Sequence, residues 1–445
     1  MSRKTFTMIV GVIAFFSFTS LALPQAEKKK ASDLYSQVEL FSYVLTTVRS
    51  EYVEERDPQS LIYGALDGML ASLDPHSQFL RPEDYEDLKT ETQGKFGGLG
   101  IEITTRDGLL TIITPIEDTP AWKAGLKPGD KVVKIDKEIT RDMTLSQAVK
   151  KMRGNPGTKV TLTILREDEM RVHEYTMTRE LIHIQDVKDV HIVKDHIGYI
   201  RLTEFREDSF KEFAKGLEEL KSKGADSLVI DLRNNPGGLL SVAINVAEIF
   251  LPEGQLIVST KGRQESQNLI NKSENKNKDY LSWPITVLIN EGSASGSEIV
   301  AGALKDDKRA VIIGAKSFGK GSVQSVIPLP DGSGLRLTTA KYYTPSGVCI
   351  HGIGIVPDVV VERKEPPEEK KSNDTKDTKD NKAEDIDKVF DEVESKDGKA
   401  KPESKLSDKE AELLKHDQND SQLQAALSVL KGIKVFKDFT QTESK

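Results

Sequence analysis

Apolar residues at helical spacing predict an N-terminal helical segment over residues 33–92. Its first apolar residues recur at three- and four-residue steps, as they do on one face of a helix: Leu34, Val38, Phe41, Leu45 and Val48. A second apolar stretch, LIYGALDGMLASL, predicts another helix, which Asp74-Pro75 ends. Such helices pack on a larger domain or on another copy of the chain, and the pattern does not decide between them.

Residues 97–180 change to short strands, turns and one helix, which predicts a small β-rich module. The stretch LSQAVKKM predicts a helix with one apolar face, made of Leu145, Ala148, Val149 and Met152. After it, GTKVTLTILRED alternates between apolar and polar residues, which is typical of a strand.

Residues 185–362 predict an α/β core, because strand-like and helix-like stretches alternate. The apolar stretches GYIRL, SLVIDL, ITVLIN and AVIIG have the length of strands, and SFKEFAKGLEELKSKG predicts an amphipathic helix. SLVIDL is a continuous apolar run, as in a strand that is buried on both faces. At the end of this part, SVQSVIPL and LRLTTAKYY flank DGSG and predict a β-hairpin.

The C-terminal part of the sequence changes character again. Residues 363–418 are highly charged and nearly free of large apolar side chains, so we expect a disordered linker that cannot bury enough surface to fold. The stretch SQLQAALSVLKGI then predicts a C-terminal helix within residues 419–437, with one apolar face made of Leu423, Ala426, Leu427 and Leu430.

The composition is that of a soluble protein: 37% of the 445 residues are hydrophobic, 30% are charged and the net charge is −8. This charge balance gives no reason to expect binding to nucleic acid. Cys349 is the single cysteine of the sequence, so an intramolecular disulfide is excluded.

The first 26 residues have the pattern of a signal peptide. Two basic residues precede an apolar stretch from Phe6 to Leu23, with cleavage expected near Ala22 or Ala26. We therefore expect export to the periplasm or to the outer face of the inner membrane. The apolar stretch is long for a signal peptide, so retention as a membrane anchor is the alternative, and we expect membrane association only in that case.

The glycine-rich stretch GAKSFGKGS raises two alternatives for Lys320. Gly314, Gly319 and Lys320 fit the spacing of a phosphate-binding P-loop, G-x-x-x-x-G-K. However, Gly321 lacks the hydroxyl with which such a loop binds magnesium, and the next residues are strand-like where a P-loop begins a helix. A nucleotide site is therefore not expected. Neither is a metal or another cofactor, because the sequence has no His/Cys ligand cluster.

A Ser/Lys pair is the second alternative. Ser295 lies in INEGSASGSE between a predicted strand and a predicted helix, where it either presents its hydroxyl beside the Gly296 amide or caps the helix. Lys320 follows after one helix and one strand, so adjacent strands would bring the two residues together. To act as a base, Lys320 must be neutral, and burial lowers the pKa of a lysine. We expect Gln324 to orient it from the same face of a strand.

Paired glycines in DLRNNPGG precede the predicted helix LLSVAINVAEIF. Backbone amides at such a position are free and lie near the positive end of the helix dipole, where they can stabilise a developing oxyanion. Gly237 and Gly238 would supply these amides. The alternative is a tight turn between a strand and a helix.

These stretches together resemble the C-terminal processing proteases, also called tail-specific proteases. The resemblance rests on LIYGALDGMLASLDPHSQFL, IDLRNNPGGLL, GSASGSEIVAGAL, SFGKGSVQ, YYTPSG and HGIGIVPD. It implies an exported serine endopeptidase with a crotonase-like or Clp-like α/β core. By the same resemblance, Ser295 is the nucleophile, Lys320 the general base and Gln324 the residue that orients the lysine. The amide of Gly296 and one from Gly237 or Gly238 then form the oxyanion hole.

The β-rich module resembles a PDZ domain in the stretches GGLGIEI and GLKPGDKVVKIDKEI. Successive amides at Leu99, Gly100 and Ile101 would form a nest for a terminal carboxylate. A peptide would pair with the strand after Gly100 and lie against the helix that carries Val149, so we expect substrates with apolar C-termini. The alternative for these side chains is the core of the module. The predicted architecture is thus an α/β protease core with an inserted PDZ domain and N-terminal helices.

The resemblance also indicates partners and a rival function. It implies that the PDZ domain switches the core between open and assembled forms, so an adaptor or activating protein is an expected partner. We also expect a homo-oligomer through the terminal helices. The rival is a PDZ scaffold with an inactive core, which loss of Ser295, Lys320 or Gln324 would indicate, and all three residues are present.

Overall fold

The computed structural model describes residues 25–106, 108–166, 171–362 and 419–442. Most of the predicted signal segment (residues 1–26) and the whole predicted linker (residues 363–418) lie outside the described residues. Between Arg81 and Pro82 the chain divides into two compact units, and each is described by itself.

The first unit contains α1 (Gln25–Glu51), α2 (Pro58–Ala71) and β1 (Gln78–Leu80). Asp57 caps α2, because its carboxylate accepts a hydrogen bond from Ser60 N at 2.9 Å. Pro58 begins the helix at a position where an amide would have no acceptor within the helix.

A turn held by Asp74 separates α2 from β1. The Asp74 carboxylate accepts hydrogen bonds from the amides of His76 and Ser77, both at 2.8 Å. Beyond this turn, the ring of Phe79 packs against Tyr63 with centroids 4.8 Å apart. The segment predicted as helical therefore contains a short strand that its apolar pattern did not indicate.

The second unit begins with α3 (Pro82–Gln93) and continues into the β-rich module. In chain order, the elements of the module are β2 (Lys95–Gly98), β3 (Ile101–Arg106), β4 (Leu109–Pro115), α4 (Pro120–Lys123), β5 (Lys131–Ile135), β6 (Glu138–Ile139), α5 (Leu145–Met152), β7 (Lys159–Arg166), β8 (Arg171–Thr178) and β9 (Glu180–His183).

The module is an antiparallel sheet covered by α5. The strand order is β3-β4-β5-β7-β8, with β6 beside β5, so β3 lies at an edge of the described sheet. β2 and β9 pair as an antiparallel ribbon where the chain enters and leaves the module. Val132, Leu162 and Ile164 are fully buried in the core of the module. The alternating stretch that contains the last two forms β7, as the sequence predicted.

The α/β core follows the module. In chain order, its elements are β10 (Val187–Lys194), β11 (Ile197–Leu202), α6 (Ser209–Ser222), β12 (Ser227–Asp231), α7 (Leu240–Glu248), β13 (Leu256–Gly262), β14 (Ile270–Lys272), β15 (Ile285–Ile289), α8 (Gly296–Asp306), β16 (Val311–Gly314), β17 (Ser322–Pro328), β18 (Gly334–Tyr343), β19 (Val359–Val360) and α9 (Ser421–Thr442).

The central sheet of the core has the order β10-β11-β12-β15-β16-β19. β10 is antiparallel to β11, and the other neighbours are parallel. Helices α6, α7 and α8 bury their apolar side chains on one face of this sheet, in a cluster that includes Phe213, Val246 and Val300. On the other face, α9 buries Leu423 and Leu430. The strands are therefore apolar on both faces, as the continuous run SLVIDL predicted.

A second, antiparallel sheet contains β17, β18, β13 and β14, paired in that order. β17 and β18 form the hairpin that the sequence predicted around DGSG. Asp331 holds the turn of this hairpin, because its carboxylate accepts a hydrogen bond from Ser333 N at 3.1 Å.

Candidate active site

Three loops leave the same edge of the central sheet. β12, β15 and β16 are parallel neighbours, so the loops at their carboxyl ends lie side by side. The loop after β12 carries Gly237 and Gly238, the loop after β15 carries Ser295, and the loop after β16 carries Lys320. The structure thus brings these predicted site residues to one edge of the sheet, which we call the catalytic edge.

Ser295 is buried and strained at the start of α8. It is 8% exposed, and its φ of 52° and ψ of −109° lie where non-glycine residues are rare. Such a conformation costs about 1–3 kcal/mol. Hydrogen bonds hold it, since Ala294 N and Ser297 Oγ both donate to Asn235 O, at 3.0 and 2.9 Å. The Gly296 amide stands at the first position of α8, where no carbonyl of the helix can accept from it.

Gly237 lies directly against Ser295 and Gly296. A Cβ atom on Gly237 would stand 2.7 Å from both the Gly296 nitrogen and the Ser295 Cβ, and the φ of Gly237 is 102°, so only glycine fits. The Gly237 amide donates to Asn235 Oδ1 at 2.9 Å. The Gly238 amide makes no hydrogen bond within the described part of the chain. Of the two predicted amides, that of Gly237 is therefore used within the turn, and that of Gly238 has no acceptor in the described residues.

Lys320 lies half-buried in the loop before β17, between two glycines. Gly319 has a φ of 92°, and a Cβ atom on Gly321 would stand 2.1 Å from the His351 nitrogen, so this loop packs too closely for larger residues. Burial lowers the pKa of Lys320 below its ordinary value, and the charge of Arg336 lowers it further. Within the described residues, Lys320 Nζ makes no hydrogen bond or ion pair. These are the properties of a lysine that can accept a proton.

For Gln324, the expected alternation along a strand does not apply. β17 begins at Ser322, after Lys320, and its pairing with β18 shifts between Val323 and Gln324. Gln324 Nε2 donates to Thr338 Oγ1 at 2.8 Å, and no hydrogen bond joins it to Lys320 in the described residues. Its Oε1 atom is buried without a donor in the same part of the chain. This acceptor suits an ammonium group, but the expectation that Lys320 and Gln324 share one face of a strand was wrong.

Glu298 joins the serine loop to the lysine loop, a role that the sequence pattern did not predict. Its Oε2 atom accepts from Ser295 N at 2.8 Å and from Lys320 N at 2.9 Å. Its Oε1 atom accepts from Ser317 Oγ and from Gly319 N, both at 2.6 Å. Burial raises the pKa of Glu298 above its ordinary value, although these hydrogen bonds favour the charged form. A signal was present, because Glu three residues after a capping Ser is a capping-box pattern, but it indicates only the first of these contacts.

A buried charged cluster, which the sequence pattern also did not predict, lies at the loop after β12. Arg233 donates to Asp231 through Nε at 3.0 Å and through Nη2 at 2.6 Å. Its Nη1 atom donates to Asp420 Oδ1 and to Gln422 Oε1, each at 3.0 Å. Tyr199 Oη also donates to Asp231, at 2.7 Å. We call these five residues the Arg233 cluster, and it joins the start of α9 to the loop that carries the paired glycines.

The β-rich module has a groove of about 180 Å³ between β3 and α5. Leu99, Gly100, Ile101 and Val149 are among the residues that line it. The amides of Leu99 and Gly100 donate to no acceptor in the described residues. Gly100 has a φ of 75°, and a Cβ atom there would stand 2.3 Å from Thr119, so the loop depends on glycine. The groove therefore combines free amides with apolar walls beside an edge strand, which is the arrangement for adding a peptide strand.

The apolar face of α5 divides between this groove and the core of the module. Leu145 and Val149 line the groove and remain partly exposed. Ala148 is fully buried and belongs to the core. Met152 contributes to both. The two alternatives that the sequence left open thus hold for different residues of the same helix.

No group of three or more His, Cys, Asp or Glu side chains in the described residues is arranged to hold a metal ion. Among the helices of the same residues, none combines the length and the apolar character that crossing a membrane requires.

Comparison with known proteins assigns both parts of the second unit. Residues 196–361 match Peptidase family S41, and residues 111–166 match the PDZ domain. A carboxy-terminal-processing protease of Bartonella bacilliformis is 46% identical over 372 residues, which cover 82% of this chain and 84% of the relative. A carboxyl-terminal-processing protease of Synechocystis sp. is 39% identical over 374 residues, which cover 80% of this chain and 86% of the relative.

A solved structure is also similar. The photosystem II D1 C-terminal processing protease is 32% identical, with a TM-score of 0.45, over 72% of this chain and 86% of that chain.

Proposed function

The chain belongs to peptidase family S41, among the carboxy-terminal-processing proteases, and on this premise we propose that Ser295 and Lys320 are its catalytic pair. The chain is a serine-type peptidase with a PDZ domain, and such a domain binds peptides. The predicted fold class, an α/β protease core with a PDZ domain and N-terminal helices, is confirmed. The roles of individual residues are proposals.

The catalytic edge supports the following reaction. Neutral Lys320 takes the proton of the Ser295 hydroxyl as its oxygen attacks the peptide carbonyl. The amides of Gly296 and Gly238 stabilise the oxyanion that forms. Protonated Lys320 then gives the proton to the leaving amine, the peptide bond breaks, and an acyl-enzyme remains. Water attacks this ester while Lys320 again accepts and returns a proton, which releases the acid product and restores Ser295.

The proposal rests on the placement of three groups at one edge of the sheet. A strained serine, a free helix-start amide and a half-buried lysine with a lowered pKa follow adjacent strands of one sheet. Gln324 completes the proposal, because its unpaired Oε1 atom can accept a hydrogen bond from the Lys320 ammonium when that group is charged.

The test is cleavage of an unfolded protein that ends in an apolar residue. We expect Ser295→Ala and Lys320→Ala each to lower kcat at least about 1,000-fold. Lys316→Ala is the matched control, because Lys316 is exposed in the same loop, and it should cleave like the wild type. Unchanged cleavage by Ser295→Ala would show that another residue is the nucleophile.

We propose that the groove between β3 and α5 of the PDZ domain, which we call the PDZ groove, selects substrates with apolar C-termini. The free amides of Leu99 and Gly100 would hold the terminal carboxylate, and the peptide would pair with β3. Val149 would contact the last side chain, so a charged last residue should bind less well. Equal affinity for peptides that differ only in this residue would contradict the proposal.

The remaining proposals concern location and assembly. The signal pattern of residues 1–26 supports export, with membrane association only if that segment is retained. The exposed apolar side chains of α1, including Leu34, Val38 and Phe41, support a homo-oligomer through this helix. An adaptor that acts through the PDZ domain is proposed from the resemblance alone. Deleting α1 should lower the mass in solution if the oligomer forms through it.

A further inference from the structure

The Glu298 carboxylate makes more contacts than capping a helix requires. A capping box needs one side-chain hydrogen bond to the amide of the capping residue, here Ser295 N. The other hydrogen bonds of Glu298 go to Ser317, Gly319 and Lys320, which all belong to the loop after β16. The carboxylate therefore spans two loops that the chain itself separates by a helix and a strand.

A single oxygen atom links the two proposed catalytic residues. Glu298 Oε2 accepts from Ser295 N at 2.8 Å and from Lys320 N at 2.9 Å. The two amide nitrogens therefore lie within about 6 Å of each other, at the distances of normal hydrogen bonds. All four groups that hydrogen-bond to this carboxylate in the described residues are donors, so the ionised form of Glu298 fits the site and a neutral amide would not.

The lysine loop needs such an anchor. Gly319 and Gly321 flank Lys320, and glycines leave the backbone free to adopt many conformations. The Lys320 side chain itself makes no hydrogen bond within the described residues, so it does not fix its own position. Glu298 accepts hydrogen bonds from two consecutive amides of this loop and from the Ser317 hydroxyl.

We propose that Glu298 is a positioning residue that sets the separation between the nucleophile and the base. The proposal rests on the assignment of Ser295 and Lys320 as the catalytic pair. Glu298 is fully buried, and it acts by holding the backbone of both residues in one arrangement. Its loss should therefore lower the rate of the chemical step and leave peptide binding in the PDZ groove unchanged.

The central variant is Glu298→Gln, which keeps the size of the side chain. Its amide nitrogen would face donors in place of an acceptor, so hydrogen bonds on one side of the carboxylate would be lost. We expect kcat to fall about 100-fold, the effect of displacing reacting groups by about 1 Å. KM should stay within about threefold of the wild-type value. Glu298→Asp should also fold and should be slower than the wild type, because its shorter side chain cannot reach both loops.

Asp358→Asn is the matched control. Asp358 is another carboxylate of the same core that accepts a hydrogen bond from a backbone amide, Ile312 N at 2.9 Å, and it pairs with Lys305 at 2.8 Å. It contacts neither catalytic loop through these bonds. A general loss of stability would lower the active fraction of both variants, whereas the proposed role lowers kcat per folded molecule only in Glu298→Gln.

A rescue experiment distinguishes positioning from stability. Glu298→Ala leaves a buried space lined by donors, and formate can supply a carboxylate there. We expect sodium formate to restore part of kcat, and sodium chloride at the same ionic strength to restore none. If the Glu298 variants do not fold, Ser317→Ala tests the same proposal, because it removes one donor to Oε1 without changing charge. It should lower kcat with KM unchanged.

The outcomes separate this proposal from the assignment of the catalytic pair. If Ser295→Ala or Lys320→Ala cleaves like the wild type, the assignment itself is wrong. If both variants are inactive and folded Glu298→Gln keeps kcat within about threefold of the wild type, only the role of Glu298 is wrong. A lower kcat in Glu298→Gln and Asp358→Asn alike, without formate rescue, would also overturn it.

Discussion

The catalytic edge and the PDZ groove are built in opposite ways. At the catalytic edge, buried charged groups fix the backbone: Glu298 accepts from both loops, and Arg233 joins a third loop to α9. In the PDZ groove, apolar side chains such as Val149 stay partly exposed, and free amides lie beside an edge strand. On the proposed roles this difference has a physical reason, because proton transfer needs a fixed separation between groups, whereas capture of a chain end needs an open and adaptable surface.

The largest expected effect comes from adding a methyl group at the catalytic edge. We expect Gly237→Ala to lower kcat at least about 100-fold, because the new Cβ atom would displace the Gly296 amide, 2.7 Å away, from the oxyanion. Gly254→Ala is the control, since Gly254 has a similar φ of 88° but open space around it. Steady-state kinetics should show a rate loss in the first variant alone. An equal loss in both would mean that backbone strain, and not the contact with Gly296, is responsible.

The second prediction tests whether the Arg233 cluster stabilises the core. Asp420→Ala should lower the free energy of unfolding by about 2 kcal/mol, because Arg233 keeps Asp231 but loses a charged partner. Urea unfolding measures this difference. Lys434→Ala is the control on the same helix, and its ion pair with Asp226 is partly exposed, so its loss should cost below about 1 kcal/mol.

The pH dependence of this difference has a definite sign. Burial alone would raise the pKa of Asp420, but the hydrogen bonds and charge of Arg233 hold it below its ordinary value. The stabilisation from Asp420 is therefore present above its unfolded pKa of about 3.9 and is lost as the pH falls through the lower folded value. The difference between wild type and Asp420→Ala should shrink in acid. A difference that grows in acid would contradict the assignment.

The third prediction concerns the groove. Val149→Asp should raise KM for a peptide with an apolar C-terminus about tenfold, the effect of losing about 1.4 kcal/mol of binding, and should leave kcat unchanged. Lys150→Ala on the same helix is the control, because Lys150 is exposed and does not line the groove. A fall in kcat in Val149→Asp would show that the groove and the catalytic edge are coupled.

The smallest expected effect comes from Arg336. Its charge contributes to the lowered pKa of Lys320, and Lys320 must be neutral to act as a base, so kcat/KM should rise with pH through that pKa. Removing the charge in Arg336→Gln raises the pKa of Lys320, which shifts the acid limb of the pH profile to higher pH. Lys341→Gln, at an exposed cation of the same strand, should leave the limb in place. A shift to lower pH would contradict the electrostatic account.

Much of the core could be predicted from the sequence because local patterns determine it. The buried strand SLVIDL, the alternating strand that became β7 and the hairpin around DGSG follow from apolar spacing and turn residues. The position of Ser295 and Lys320 at one edge follows from the rule that loops after parallel strands meet.

What the sequence could not predict depends on contacts between distant residues. Glu298 carries a local capping pattern, but its contact with Lys320 exists only once two loops are folded side by side. Likewise, the hydrogen bond between Arg233 and Asp420 joins residues on the two sides of the predicted linker and forms only in the folded chain. For Gln324 the local pattern was misleading. The sequence predicted that Lys320 and Gln324 lie on one face of a strand, but the strand begins at Ser322, after Lys320.

Helix α9 is the last of the described elements to be synthesised, although it packs on the central sheet of the core. The ribosome makes the loops with Gly238, Ser295 and Lys320 before it makes α9, which follows the whole of residues 363–418. Until that helix emerges, one face of the central sheet lacks its cover and Arg233 lacks Asp420. A nascent or prematurely terminated chain therefore carries every proposed catalytic residue in an unfinished core. The core is therefore completed only after the chain has passed residues 363–418 and the helix beyond them has docked.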